Sequence, residues 1–251
     1  MTGTIERSAR HMLDDWLTLH GITADDCERL LSRIPGQPTI STADFAASAQ
    51  VPSGHSAEEA WTFVNHAMAR QCPSLSDVIK SVVVNTAVNP APDRKRFPAP
   101  FTLHDGGNGY PYVSCHHDGG IGSLICLAHE AGHAIQSVMS GGAFVPPITR
   151  EVAAFVSETA CEALIDAECS GLSPAIGELR TALDARYLGR YARRLRKALS
   201  SAQENYDYVW NYPLARLLAR GLTGPLACSE CTALFSGRLP LRELADRVLR
   251  P

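Results

Sequence analysis

"LICLAHEAGHAIQSVMS", Leu124 to Ser140, places two histidines and a glutamate inside an otherwise apolar run. His129 and His133 are four positions apart. In a helix, residues i and i+4 share one face, a turn apart. Both rings can therefore aim at one point about 2 Å away, which suits Zn²⁺. Glu130 points to one side of that pair, where it can take a proton from a water activated by the ion. Gly132 leaves the neighbouring surface open to close approach. Leu124, Ile125, Leu127 and Ala128 mark the helix as buried, where two histidines without partners are costly. The stretch predicts a buried helix that presents a zinc site.

A catalytic zinc usually has three protein ligands and one open position. The next segment, "TREVAAFVSETACEALIDAE", offers Glu151, Glu158 and Glu162. Spacings of seven and four put them on one helical stripe. The alternative is a solvated acidic face. Val152, Val156, Ala160 and Leu164 favour burial instead, and one loop between the two helices lets them pack together. Seven residues span about 10 Å of rise, so only one of the three can reach the ion. Another can orient a ligand histidine through its second N–H.

The rest of the chain supplies the setting. Its 251 residues are 45% hydrophobic and 20% charged, which is ordinary globular composition. A net charge of -3 implies no broad basic surface, so nucleic acid is not expected as a partner. No run approaches the ~20 apolar residues of a membrane helix. "MTGTIERSARHMLDDW" does not read as a signal peptide. Eight cysteines without a disulfide rhythm point to reduced thiols and a cytoplasmic location.

Helices are expected over residues 5–20, after Thr23, from a Ser56/Glu59 capping box to about Arg70, and from Pro73 to about Val84. "NPAPDRKRFPAPF", Asn89 to Phe101, holds too many prolines for a helix interior. "GGNG" at Gly106–Gly109 reads as a turn between short strands at Ala99–His104 and Tyr110–His116. Helix resumes after Gly122, with breaks at Gly141–Gly142, Pro146–Pro147, Gly171, Gly221–Pro225 and Gly237. The expectation is one mainly α domain, with an N-terminal helical part (1–88) and a core (89–251) whose small sheet precedes the histidine helix.

Three other features take plainer readings. His116 and His117 are neighbours on a strand and point to opposite faces, so they do not share an ion. One of them can face a substrate. Cys228 and Cys231 form a lone C-x-x-C without the second pair a structural zinc needs, and read as buried thiols. "RYLGRYARRLRK", Arg186 to Lys197, reads as a basic, solvated helix face with a possible hold on an acidic substrate end.

"HEAGHA" followed by "EVAAFVSE" resembles the M3 zinc metallopeptidases, the thimet oligopeptidase and oligoendopeptidase F group. There HExGH precedes a helix with a ligand Glu, a pair of small residues and a second Glu seven positions on. Glu151, Ala153, Ala154 and Glu158 fit that local pattern. "PYVSCHHDGGIGSLICLAHEAGH" keeps the register of the family's upstream stretch, and "DRKRFPAPF" resembles its strand entry. The likeness runs over roughly residues 90 to 215. It implies a zincin-like helical fold and peptide hydrolysis, with the Pro111–His116 strand as the edge on which an extended peptide lies.

"NYDYVWNYPLARLLA", Asn205 to Ala219, matches the family's tyrosine-rich stretch. The resemblance therefore implies an oxyanion-donating phenol, with Tyr208 aligning best and Tyr212 next. The chain departs from the family in four ways. It is less than half the usual length, and the interval from His133 to Glu151 is short. His116 stands where the family has Asn, and no histidine follows His133. By count Glu158 fits the ligand position better; by local sequence Glu151 does, and loops shorten more easily than helical faces change.

The reading that results is a zinc-dependent metallopeptidase acting on a peptide or peptide-like amide. His129, His133 and Glu151 hold Zn²⁺. Glu130 and Tyr208 are catalytic, Glu158 orients a ligand, and His116 and Tyr212 face the substrate. The alternatives are a zinc-dependent biosynthetic enzyme with non-peptidase chemistry and a non-catalytic peptide-binding relative. The intact Glu130 argues against the last.

Overall fold

The computed structural model describes residues 12–36, 42–201, 205–222 and 227–249. Its helices are α1 (residues 12–20), α2 (Ala24–Ser32), α3 (Thr42–Ala49), α4 (Ala57–Gln71), α5 (Ser76–Asn85), α6 (Ile121–Met139), α7 (Pro147–Glu168), α8 (Ser173–Asp184), α9 (Ala192–Ser200), α10 (Asn211–Gly221), α11 (Cys228–Phe235) and α12 (Leu241–Leu249). A π-helical segment, Ala185–Tyr191, joins α8 to α9. Capping decides several starts. Thr23 with Asp26 opens α2, and Ser56 with Glu59 opens α4, each side chain satisfying a backbone N–H of the other. Residues 5–11 of the expected first helix lie outside the described residues, as do residues 223–225 of the expected break.

The core is built around α6 and α7. Two glycines with positive φ, Gly141 and Gly142, end α6, and Pro147 occupies the first turn of α7. Along α7, Ile148, Val152, Phe155 and Ile165 are fully buried, each contributing about 1.5–3 kcal/mol of apolar burial. The two helices touch through small residues. A Cβ on Gly132 would lie 2.7 Å from the Ala154 Cα and 2.9 Å from the Ala153 carbonyl oxygen. Helix α4 packs on both α6 and α7, and α10 on α7. Both site-bearing helices are thus held from several sides.

A three-stranded sheet of order β1-β3-β2 sits beside α6. It comprises β1 (Ala87–Asn89), β2 (Phe101–Leu103) and β3 (Tyr112–Ser114). β3 pairs parallel with β1, Val113 opposite Val88, and antiparallel with β2, Val113 opposite Thr102. The strand expected to be the open edge, Pro111–His116, is therefore the central one. Residues 87–89 were not expected to form a strand, and they cover β3's outer side. The edge nearer α6 is β2.

The expectation of reduced thiols is corrected at one pair. Cys72, after α4, and Cys231, on α11, form a disulfide with Cα atoms 6.0 Å apart. They are 159 positions apart in sequence, so only the packing of α11 near Pro73–Leu75 brings them together. Cys231 is thus bonded rather than free; the side chain of Cys228 lies outside the described residues. Among the described residues, no helix is long and apolar enough to cross a membrane.

Candidate metal centre

One turn of α6 and the second turn of α7 converge. His129, His133 and Glu151 each offer a ligand atom, and these atoms all lie within 4.8 Å of one another. Glu151 Oε2 is 3.2 Å from His129 Nε2, and Glu151 Oε1 is 3.8 Å from His133 Nε2. It is the only such group of His, Cys, Asp and Glu side chains among the described residues. All three side chains are at most 15% exposed.

Glu151, Glu158 and Glu162 of α7 divide the work by depth. Glu151 enters the cluster. Glu158, one helical repeat on, stands behind His129 with Oε1 2.6 Å from Nδ1. A carboxylate only accepts, so Nδ1 carries the proton and Nε2 is left for a ligand role. Glu162 faces away from the histidines and accepts from Arg180 Nε at 2.7 Å. All three are buried, which excludes the solvated acidic face.

Arg216 of α10 was not singled out in the sequence, yet it anchors this arrangement. It is 2% exposed, donates to Glu158 Oε2 at 2.7 Å and to Asp184 at 3.2 Å, and lies over the Phe155 ring. Phe155 in turn packs edge-on against His129. The available signal was a charged residue in the apolar run "PLARLLA". Such a residue, once buried, requires partners.

Glu130 is turned toward β2. The Thr102 hydroxyl donates to Glu130 Oε2 at 2.7 Å. Burial raises the Glu130 carboxyl above its ordinary range, against the opposing pull of His129 and Thr102. His133 is pushed down to about 3 by burial, so its imidazole is neutral at ordinary pH. Burial would also lower His129, but the Glu151 and Glu158 carboxylates outweigh it and hold it well above the usual value. Burial opposes the charge on Glu151, yet the adjacent imidazoles and the Tyr208 hydroxyl bring it down to about 2.

Tyr208 donates to Glu151 Oε1 at 2.6 Å and accepts from Arg150 at 2.7 Å. Tyr212, one turn on, packs among Phe155, Tyr187 and Tyr191. Two cavities meet at the cluster. One, of about 460 Å³, is lined by Phe101, Thr102, Phe144, Arg150, Glu151 and Tyr208, among others. The other, of about 400 Å³, reaches past Cys126 and Leu183 to Arg186 and Tyr187. His129, Glu130 and Tyr212 line both. His116 lines neither, so it is not brought to the cleft with the others. His117 is occupied by Ser123 and the His55 carbonyl.

The donor set fits a divalent cation. Glu151 Oε2 is buried and accepts no hydrogen bond despite its closeness to His129. A buried carboxylate oxygen with no donor is costly. Two imidazole nitrogens and one carboxylate oxygen match the composition of a catalytic zinc site with an open position.

No protein-family profile and no curated protein sequence matches the chain. Among solved structures, a Bacillus anthracis strain Ames protein assigned as an oligoendopeptidase F aligns with 98% of this chain and 52% of its own, at 14% identity and a TM-score of 0.57. A second structure assigned as an oligoendopeptidase F is also 14% identical, covering 98% of this chain and 53% of its own, with a TM-score of 0.46. The chain spans about half the length of these structures. At this identity the likeness is one of fold: mainly helical and zincin-like, with a small sheet beside the histidine helix.

Proposed function

We propose that the protein is a zinc-dependent metallopeptidase that hydrolyses a peptide or peptide-like amide bond. The observation that carries this is the convergence of His129, His133 and Glu151 beside a buried Glu130, at the junction of two cavities. His129, His133 and Glu151 would hold Zn²⁺, with Glu158 and Arg216 fixing the His129 ring from behind. Zinc bound there supplies Lewis acidity, acidifying a water and polarising the scissile carbonyl.

The chain's own groups account for the proton traffic. Glu130, made more basic by burial, takes the proton from the attacking water and delivers it to the leaving amine. Thr102 holds that carboxylate in place. The Tyr208 hydroxyl, which donates to Glu151 and accepts from Arg150, would turn its one proton from Glu151 to the carbonyl oxygen as charge develops there. The two cavities receive the chain on either side of the scissile bond, with Tyr212 between them. The outer edge of β2 is the place for an extended peptide to pair. His116 has no part in this scheme.

The test is metal analysis with a broad peptide-library digest, run beside Glu130→Gln. The expected result is one zinc per chain in both proteins, with cleavage lost by several orders of magnitude in the variant. Zinc at 100 times its Kd should also raise stability by about 2.7 kcal/mol. Zinc binding without cleavage by the wild type would exclude peptide hydrolysis and leave a biosynthetic or binding role.

A further inference from the structure

Arg150 is used only in part by the scheme above. It sits one residue before Glu151 on α7 and lines the larger cavity. It is partly buried. Its guanidinium spends one N–H on the neutral Tyr208 hydroxyl at 2.7 Å and lies 5.8 Å from that ring's centre. Among the described residues it forms no ion pair. The contrast with Arg216 and Arg180 is direct, since both meet carboxylates.

A guanidinium carries five donors in a planar fork that matches a carboxylate. Placing one in a cleft with most of its donors uncommitted is unfavourable unless an anion completes it. No other Arg or Lys lines this cavity. Phe101, Phe144 and Val145 give the same space an apolar wall, and Phe144 is 73% exposed at its mouth. The second cavity also has an arginine, Arg186, but it is solvent-exposed and stacked on Tyr187 and Tyr191. Water screens a charge there far more effectively.

We propose that Arg150 makes the larger cavity a carboxylate subsite, so that the preferred substrate is a peptide presenting a carboxylate there, next to an apolar side chain. This rests on the peptide reading of the site. The carboxylate comes either from a free C-terminus or from an Asp or Glu side chain, and both dock in the same way.

The experiment uses N-acetylated random hexapeptide libraries in three forms: C-terminal acid, C-terminal amide, and amide without Asp or Glu. Zinc-loaded wild type is scored for cleavage by mass spectrometry. Zinc-loaded Glu130→Gln is scored for peptide retention by affinity selection. The expected result is a preference of about tenfold or more for carboxylate-bearing peptides, from the usual strength of hydrogen bonds to a charged group. A preference in the acid form alone identifies the terminus. Equal use of acid and amide, with loss only when Asp and Glu are removed, identifies the side chain.

In Arg150→Gln the preference should fall to about one, and Arg150→Lys should restore part of it. If Arg150 serves only to hold Tyr208 and Glu151, its substitution lowers kcat for all three libraries equally and the preference persists. That overturns the proposal, as does a wild type that treats the three libraries alike, which needs no variant. Retention of carboxylate peptides without cleavage would support the subsite while sinking peptide hydrolysis. Neither retention nor cleavage would overturn both.

Discussion

Substituting Gly132 by Ala tests the central premise that two helices in intimate contact build the site. On propensity alone this change, inside a 19-residue helix, should stabilise by about 1 kcal/mol. The packing argues the reverse. The new Cβ would lie 2.7 Å from Ala154 Cα, 2.9 Å from Ala153 O and 3.0 Å from Ser157 Cβ. Two of these are backbone atoms, so no rotamer relieves the clash. Ordinary contact needs about 3.4 Å or more, so α6 and α7 must separate locally by about 0.7 Å, an overpacking cost of about 1–3 kcal/mol. The net expectation is a loss of up to about 2 kcal/mol once propensity is offset.

The same displacement separates His129 and His133 from Glu151, while ligand distances tolerate about 0.2 Å. Zinc affinity should therefore fall at least tenfold. Gly177→Ala in α8 is the matched control, because a Cβ there meets nothing within 4 Å. It should stabilise by roughly the propensity value. Urea denaturation of the metal-free proteins and competitive zinc titration give both numbers. A Gly132→Ala protein as stable as Gly177→Ala, with unchanged zinc affinity, would refute the reasoning.

Other perturbations separate the remaining roles. Arg216→Met leaves buried Glu158 with His129 alone and without its arginine, whereas Glu162 keeps Arg180 and Asp184 keeps Arg220. A cost of about 3–5 kcal/mol is expected from thermal or chemical unfolding, and Arg220→Met, at a part-exposed site, should cost less. Because burial raises the Glu130 carboxyl and the reaction needs it ionised, kcat/KM should fall as pH drops through a value above the ordinary glutamate range near 4.5. An acid limb at or below that range would contradict the assigned base. Cys231→Ser opens a cross-link spanning 159 positions. Chain-entropy reasoning puts its contribution at about 5 kcal/mol at most, measurable as a lower denaturation midpoint with little change in zinc affinity.

Local signals carried far into this chain. The i, i+4 histidines, the capping boxes at Thr23 and Ser56, the paired glycines before α7 and the apolar face around Glu151 are all written within one or two helical turns. Each therefore has a meaning that short sequence spacing can express. The same short-range logic located β2 and β3, but not β1. A three-residue strand at Ala87–Asn89 has no periodicity to announce it, and its pairing partner lies 25 positions downstream. Without a signal for β1, the sequence pattern alone makes β3 an edge.

What the sequence determined by itself is the helix that presents two imidazoles, and the helical stripe of three glutamates that follows it. Tertiary structure alone decided which glutamate reaches the histidines, that Arg216 and Thr102 stand behind His129 and Glu130, that Arg150 lines a cavity without forming an ion pair among the described residues, and that Cys72 finds Cys231. The reason is physical. Periodicity defines the face on which a side chain lies, but the depth at which that face meets its neighbour depends on how closely helices approach. Here a missing methyl group at Gly132 and two alanines on α7 set that approach.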